Sequence, residues 1–151
     1  MMKKTKEKPD VARAAALATE LRVLFGRLKR RLREQANADE LTGSQFAVVR
    51  HLYLNGPAIV TTLAKAEGVR PQSMGATVAV LETAGLVRGA PDPADGRQTL
   101  LSLTETCLQM IKAGQAARED WLFRAIRTNL TPAEQEQLAA GVELLKRIVD
   151  T

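Results

Sequence analysis

Between Ile59 and Gly85 the chain is punctuated so closely that few folds can hold it. Ile59 to Ala66 places Leu63 and Ala64 inward and stops at Gly68, Pro71 opens the next stretch, and Met74, Val78 and Leu81 recur at four- and three-residue steps up to Gly85. Apolar residues at that spacing share one face of an α-helix. A glycine just past a helix supplies the left-handed residue that closes it, and proline is favoured at the first helical position, where its missing N–H has no intrahelical partner to lose. The stretch therefore predicts two short helices joined by a tight turn at Gly68, the second beginning at about Arg70. This is the helix-turn-helix pattern.

The flanking segments extend the pattern. Thr42-Gly43-Ser44-Gln45 has the form of a capping box ahead of Phe46, Val48, Val49, Leu52 and Leu54, a helix closed by Asn55-Gly56-Pro57. After Gly85 the period changes. Leu86 and Val87 precede a polar stretch from Gly89 to Gly96, and Leu101 and Leu103 alternate with Ser102 beyond it, which predicts a hairpin with a long projecting loop, or wing. At the N-terminal end Leu17, Leu21, Leu24, Leu28 and Leu32 form a narrow seam along a helix from Asp10 to about Gln35, a spacing that packs one long helix against others, including those of a second copy. Two further helices are expected over 104–128 and 131–149. The second opens on Thr131-Pro132-Ala133-Glu134, but Gly114 to Asp120 in the first has few large apolar residues.

Composition narrows the function. A 151-residue chain of 16.4 kDa suits one compact unit or two small lobes. No window approaches the ~20 apolar residues of a membrane span, and the chain opens on Met1-Met2-Lys3-Lys4, so it is read as cytoplasmic. With one cysteine, Cys107, and one histidine, His51, neither an intrachain disulfide nor a Cys/His metal set can be assembled, and no cofactor motif is present. Nucleophile, acid-pair and phosphate-loop patterns are also missing, which argues against an enzyme. The net charge of +5 points to an acidic partner. Residues 1–35 carry eleven basic against four acidic side chains, partly in a tail (Lys3, Lys4, Lys6, Lys8) and partly in the cluster Lys29, Arg30, Arg31, Arg33.

The order of elements and four strings resemble the MarR family of winged helix-turn-helix transcription regulators. They are Leu41-Thr42-Gly43-Ser44-Gln45-Phe46; Leu63-Ala64 with Glu67-Gly68-Val69; Pro71-Gln72-Ser73 with Leu81-Glu82 and Gly85-Leu86-Val87; and Asp95-Gly96-Arg97 leading to Leu103-Thr104. The resemblance implies a mainly α fold with a small β-hairpin wing. It divides the chain into a basic tail (1–9), a helical dimerisation lobe (10–36 and 105–151) and a winged helix-turn-helix DNA-binding lobe (37–104). It also implies a homodimeric, sequence-specific repressor on a pseudo-palindromic duplex site.

On this resemblance Arg70 and Gln72 read bases at the start of the recognition helix, since Arg pairs with guanine and Gln with adenine in two places each. Ser73 either meets phosphate or caps the helix. At Ala76 the family often carries an arginine that this chain lacks, so either the backbone comes close to the groove or specificity leans on DNA shape. Arg97 in the wing is similar to the family's minor-groove arginine, with Asp95 expected to hold its guanidinium by a charge-assisted bond. Arg88 and Arg50 are candidate phosphate contacts, and the cluster around Arg30 and Arg31 a candidate for flanking phosphates.

Many members of the family release DNA when a small aromatic or anionic molecule enters the cleft between lobes; here that cleft would involve Phe46, Arg50, His51 and Trp121. Cys107 is not placed where the family's oxidant-sensing cysteine lies and reads as a buried thiol. The competing readings are a non-specific architectural DNA binder and a winged-helix protein-interaction module.

Overall fold

The computed structural model describes residues 9–36 and 41–151. The expected basic tail lies outside these residues except for Pro9, as do residues 37–40 at the head of the expected DNA-binding lobe. Eight elements follow in order: α1 (Pro9–Gln35), α2 (Gly43–Asn55), α3 (Val60–Glu67), α4 (Pro71–Thr83), β1 (Val87–Pro91), β2 (Thr99–Leu103), α5 (Glu105–Asn129) and α6 (Pro132–Val149). The fold is mainly α with one antiparallel hairpin, as the sequence predicts.

Local chemistry sets most boundaries. At the start of α2 the Gln45 N–H donates to Thr42 Oγ1 at 3.3 Å while the Thr42 N–H donates to Gln45 Oε1 at 3.1 Å. Thr131 and Glu134 repeat the exchange at α6, at 2.8 and 3.3 Å, with Pro132 in the first turn. Each box satisfies two backbone donors that no helical carbonyl can reach. Helix α3 ends on a left-handed Gly68 (φ 64°, ψ 32°), and the Val69 N–H reaches back to the Ala64 carbonyl at 3.0 Å. A side chain at position 68 would strain that turn by about 1–2 kcal/mol.

The hairpin departs from its sequence reading. Gly89, Ala90 and Pro91 were expected in the polar loop but belong to β1, in register from Val87 opposite Leu103 to Pro91 opposite Thr99, so the turn is confined to Asp92–Gln98. The reason lies in cross-strand contact. A Cβ on Gly89 would stand 2.6 Å from Thr99 Cγ2, so a larger residue there would have to push the Thr99 side chain aside. The outer half of the hairpin is exposed, and without a core to face it shows none of the apolar alternation that marks a strand in sequence.

Among the described residues every fully buried apolar side chain lies between Val48 and Cys107. Val48, Val49 and Leu52 from α2, Leu63 and Ala64 from α3, and Met74, Val78 and Leu81 from α4 close around Val87 and Leu101 at the base of the wing. Ala58 and Leu101 exchange backbone hydrogen bonds at 3.0 and 2.9 Å, tying the α2–α3 link to β2. The helical lobe differs. Helices α1 and α6 bury no residue fully, α5 buries only Cys107, and α6 packs extensively against no other element of its own chain. Helix α1 runs along α5, with the Arg31 guanidinium 5.9 Å from the Trp121 ring centre. Of the leucine seam, Leu21, Leu28 and Leu32 are half-buried while Leu17 and Leu24 stay exposed.

Thr104 fastens the winged lobe to α5. Its hydroxyl donates to the Gly85 carbonyl at 2.6 Å and accepts from the Cys107 N–H at 3.2 Å, and its own N–H donates to the Leu86 carbonyl at 3.0 Å. Thr104→Val keeps the volume but removes both hydroxyl bonds. The expected loss is about 2 kcal/mol, one part a helix cap and one part a hydrogen bond, read as a lower urea midpoint with unchanged slope.

Candidate nucleic-acid interface

Helix α4 turns its two sides to different tasks. Met74, Val78 and Leu81 are 2%, 2% and 1% exposed against the core, whereas Gln72, Ser73 and Ala76 are exposed on the outer side. The helix starts from an extended Arg70 (φ −72°, ψ 145°) whose side chain makes no capping bond, followed by Pro71. Ser73 is not a cap either, so the capping reading of these residues is not what the structure contains. The first turn therefore presents the backbone N–H groups of Gln72 and Ser73 together with their side chains. Such a turn carries a partial positive charge and unpaired donors, the arrangement that receives phosphates and base edges.

The wing places Arg97 on an ordered turn. Asp95 was expected to hold the Arg97 guanidinium; its Oδ1 instead accepts the Arg97 backbone N–H at 3.1 Å, and among the described residues no ion pair joins the two side chains. An aspartate two residues ahead of an N–H closes an Asx turn with almost no loss of freedom, whereas folding a long arginine back onto it would forfeit rotamer entropy. Asp92 makes the same bond to the Ala94 N–H at 3.0 Å, and the bonds from Asp92 N–H to the Gln98 carbonyl (2.9 Å) and from Gln98 N–H to the Asp95 carbonyl (3.0 Å) close the loop. The Arg97 side chain is left exposed. At the base of the wing the Arg88 Nε donates to the hydroxyl of Ser102, its cross-strand partner, at 3.5 Å.

Arg50 stands elsewhere. It lines a cavity of about 770 Å³ with Leu81 and Ala84, at the opposite end of α4 from Gln72. The cavity is bounded by the end of α1 (Gln35, Ala36), by α2 (Phe46, Val49, Arg50, Tyr53), by the end of α4, and by α5 from Met110 to Arg118. Of the residues expected in such a cleft Phe46 and Arg50 line it, and His51 and Trp121 do not. His51 is a single step from Arg50, about 100° around the helix, and Trp121 lies under Arg31 instead. The sequence reading missed Tyr53, one turn beyond Val49, and Arg118. The signal for Arg118 was the apolar gap from Gly114 to Asp120: that stretch of α5 borders open space, so it needs no apolar stripe.

Two other expectations concern α1 and α5. Arg30 and Arg31 approach Glu34 at 4.0 and 3.6 Å, so the basic cluster is partly neutralised within its own helix. Cys107 is completely buried, and burial pushes its thiol above the ordinary range, which leaves little thiolate to react. Among the described residues no helix is long and apolar enough to cross a membrane.

A model of the MarR family matches residues 40–98, the approach to α2 through the turn of the wing. A helix-turn-helix transcriptional regulator of Mycobacterium tuberculosis (strain CDC 1551 / Oshkosh) is 35% identical over 136 residues, covering 90% of this chain and 94% of the relative. Among solved structures, a transcriptional regulator from Thermotoga maritima has a TM-score of 0.78 at 23% identity over 90% of this chain and 95% of its own. A mutant of Staphylococcus aureus MepR bound to an oligodeoxyribonucleotide has a TM-score of 0.68 at 18% identity, over 88% and 97%. These two share the fold, while identity of 35% along nine-tenths of the chain goes further: this chain belongs to the MarR family of transcriptional regulators, proteins that are not enzymes.

Proposed function

We propose that the chain is a homodimeric, sequence-specific DNA-binding regulator that represses by occupying a pseudo-palindromic site and is released by a small effector. The observation that carries the DNA reading is the first turn of α4. Among the described residues the side chains of Arg70, Gln72 and Ser73 are exposed and make no capping bond, and the turn of the wing holds Arg97 exposed. A helix-turn-helix protein sets such a turn against base edges in the major groove, and an exposed wing arginine suits the narrow minor groove alongside. The oligodeoxyribonucleotide in the MepR complex supports this choice of partner for the shared fold.

Residues 10–36 and 105–151 serve as the dimerisation lobe and 37–104 as the DNA-binding lobe. Large apolar side chains stand open on the long helices α1 and α6, which bury no residue fully: Leu24, Leu144, Ile148 and Val149 are 56%, 56%, 62% and 80% exposed. A second copy covering those faces gives an interface of the size that obligate dimers bury. Symmetry then sets two recognition helices about one DNA turn apart. The small outer face of α4 favours the competing architectural reading, and the two are separated by the ratio of specific to bulk affinity, expected at ~10³ or more for a regulator.

The cavity between the lobes is the proposed effector site. Phe46, Tyr53 and Met110 offer apolar contact, and Arg50 and Arg118 offer positive charge, so an aromatic or other small anion fits. A ligand there touches α1, α2, α4 and α5 at once and changes how the recognition helices are spaced. The proposed phosphate role of Arg50 gives way to this one, while Arg88 remains a candidate for backbone contact.

Selection from random duplex DNA tests the whole reading: a two-fold-related motif with half-site centres ~10 bp apart is expected from the native chain. Leu144→Asp should sediment as a monomer and recover no motif. At the wing, Arg97→Ala should weaken binding about tenfold or more and lower the salt slope by about 1. Asp95→Asn retains the accepting oxygen and should bind as the parent does, whereas Asp95→Ala should lose several-fold; equal losses in both would restore the salt-bridge role. For the cavity, aromatic carboxylates should raise the melting temperature, and Arg50→Ala or Arg118→Ala should each weaken that binding about tenfold, read by calorimetric titration.

A further inference from the structure

We propose that Gln72 and Ala76 make the centre of each half-site A·T, with Gln72 on adenine and the Ala76 methyl on the methyl group of a thymine. This rests on the DNA reading above and names what that surface reads. Along α4 the residues diametrically opposite the buried Met74, Val78 and Leu81 are Gln72, Ala76, Ala79 and Thr83, all exposed. From Pro71 to Thr83 the only charged side chain is Glu82, which stands about 15 Å along the axis from Gln72.

The hydroxyls on α4 are largely used up within it. Thr77 Oγ1 donates to the Ser73 carbonyl at 3.3 Å and Thr83 Oγ1 to the Ala79 carbonyl at 3.0 Å, so each threonine turns its hydroxyl onto the helix. Ser73 lies about 100° around from Gln72, toward a small recess beside Ser44 and Glu67. What remains on the groove-facing line is one amide, which can pair with adenine in two places, followed one turn later by a methyl. Guanine is most often read by Arg or Lys, and Arg70, the N-cap residue, is the one such group at this end of α4, which places a guanine contact on the far side of Gln72 from Ala76. Gln72 and Ala76 are about 6 Å apart along the axis, so the contacted thymine falls within two base-pair steps of the adenine.

The test uses the purified dimer and the motif recovered from random duplexes. The expected motif has adenine and thymine within two steps of each other at the centre of each half-site. Replacing that thymine by uracil, which removes only the methyl, should weaken native binding about fourfold for each methyl lost. In Ala76→Gly the same replacement should change nothing; Ala76→Ser is the second variant, and both are compared by their melting curves. Gln72→Ala should relax the preference for the paired adenine by about tenfold. A two-fold motif with central G·C pairs, or a uracil effect that persists undiminished in both Ala76 variants, overturns this inference while the regulator reading stands. Recovery of no motif overturns both. The uracil arm alters only DNA, so failure of a variant to fold leaves it decisive.

Discussion

The paired hydrogen bonds between Ala58 and Leu101, at 3.0 and 2.9 Å, tie the helix-turn-helix to the wing. They join the link between α2 and α3 to the inner strand of the wing around a Leu101 that is 1% exposed. A lone two-stranded ribbon is marginal in water; this one is held at its base by that bridge together with the burial of Val87 and Leu101 against α2, α3 and α4. Thr104 extends the same frame outward: it takes hold of Gly85 at the end of the recognition helix and caps α5 with one hydroxyl. Recognition helix, wing and α5 are thereby referred to one small core.

That core is complete within one chain, and the helical lobe is not. Apolar side chains gain roughly 25 cal/mol per Å² on leaving water, and the open faces of α1 and α6 have not collected that gain. In the proposed dimer the helical lobe acquires its core from the partner, and folding of the lobe and dimerisation become a single process governed by protein concentration. The proposed effector cavity is lined by Gln35, by α2, by the end of α4 and by α5, so a ligand placed there would touch the winged core and the long helices together.

Local elements were legible because their signals are short-range. Capping boxes, Gly68 and Pro71 act within a few residues of themselves, and the opposed faces of α4 follow from a 3.6-residue period. The wing was less so: its outer strand is exposed on all but its first residue, and the close neighbour of Gly89 is Thr99, ten residues away. Asp95 illustrates a different limit. Spacing alone allowed it to serve either the guanidinium or the N–H of Arg97, and the closed geometry of the 92–98 turn selected the N–H.

From the sequence alone came the helix-turn-helix, the hairpin and the order of elements, since periodicity and punctuation state which side of each element faces the core, while Arg70, Gln72, Ser73 and Arg97 were singled out by the resemblance to the family. Only the tertiary structure decided that Arg50 belongs to a cavity and His51 does not, that Arg118 from α5 joins it, that Arg31 rests on Trp121, and that Thr77 and Thr83 withhold their hydroxyls from the groove side. Each of these depends on which residues distant along the chain come within a few ångströms of one another, or on which rotamer a side chain adopts. A linear pattern of polar and apolar residues carries no distances of that kind.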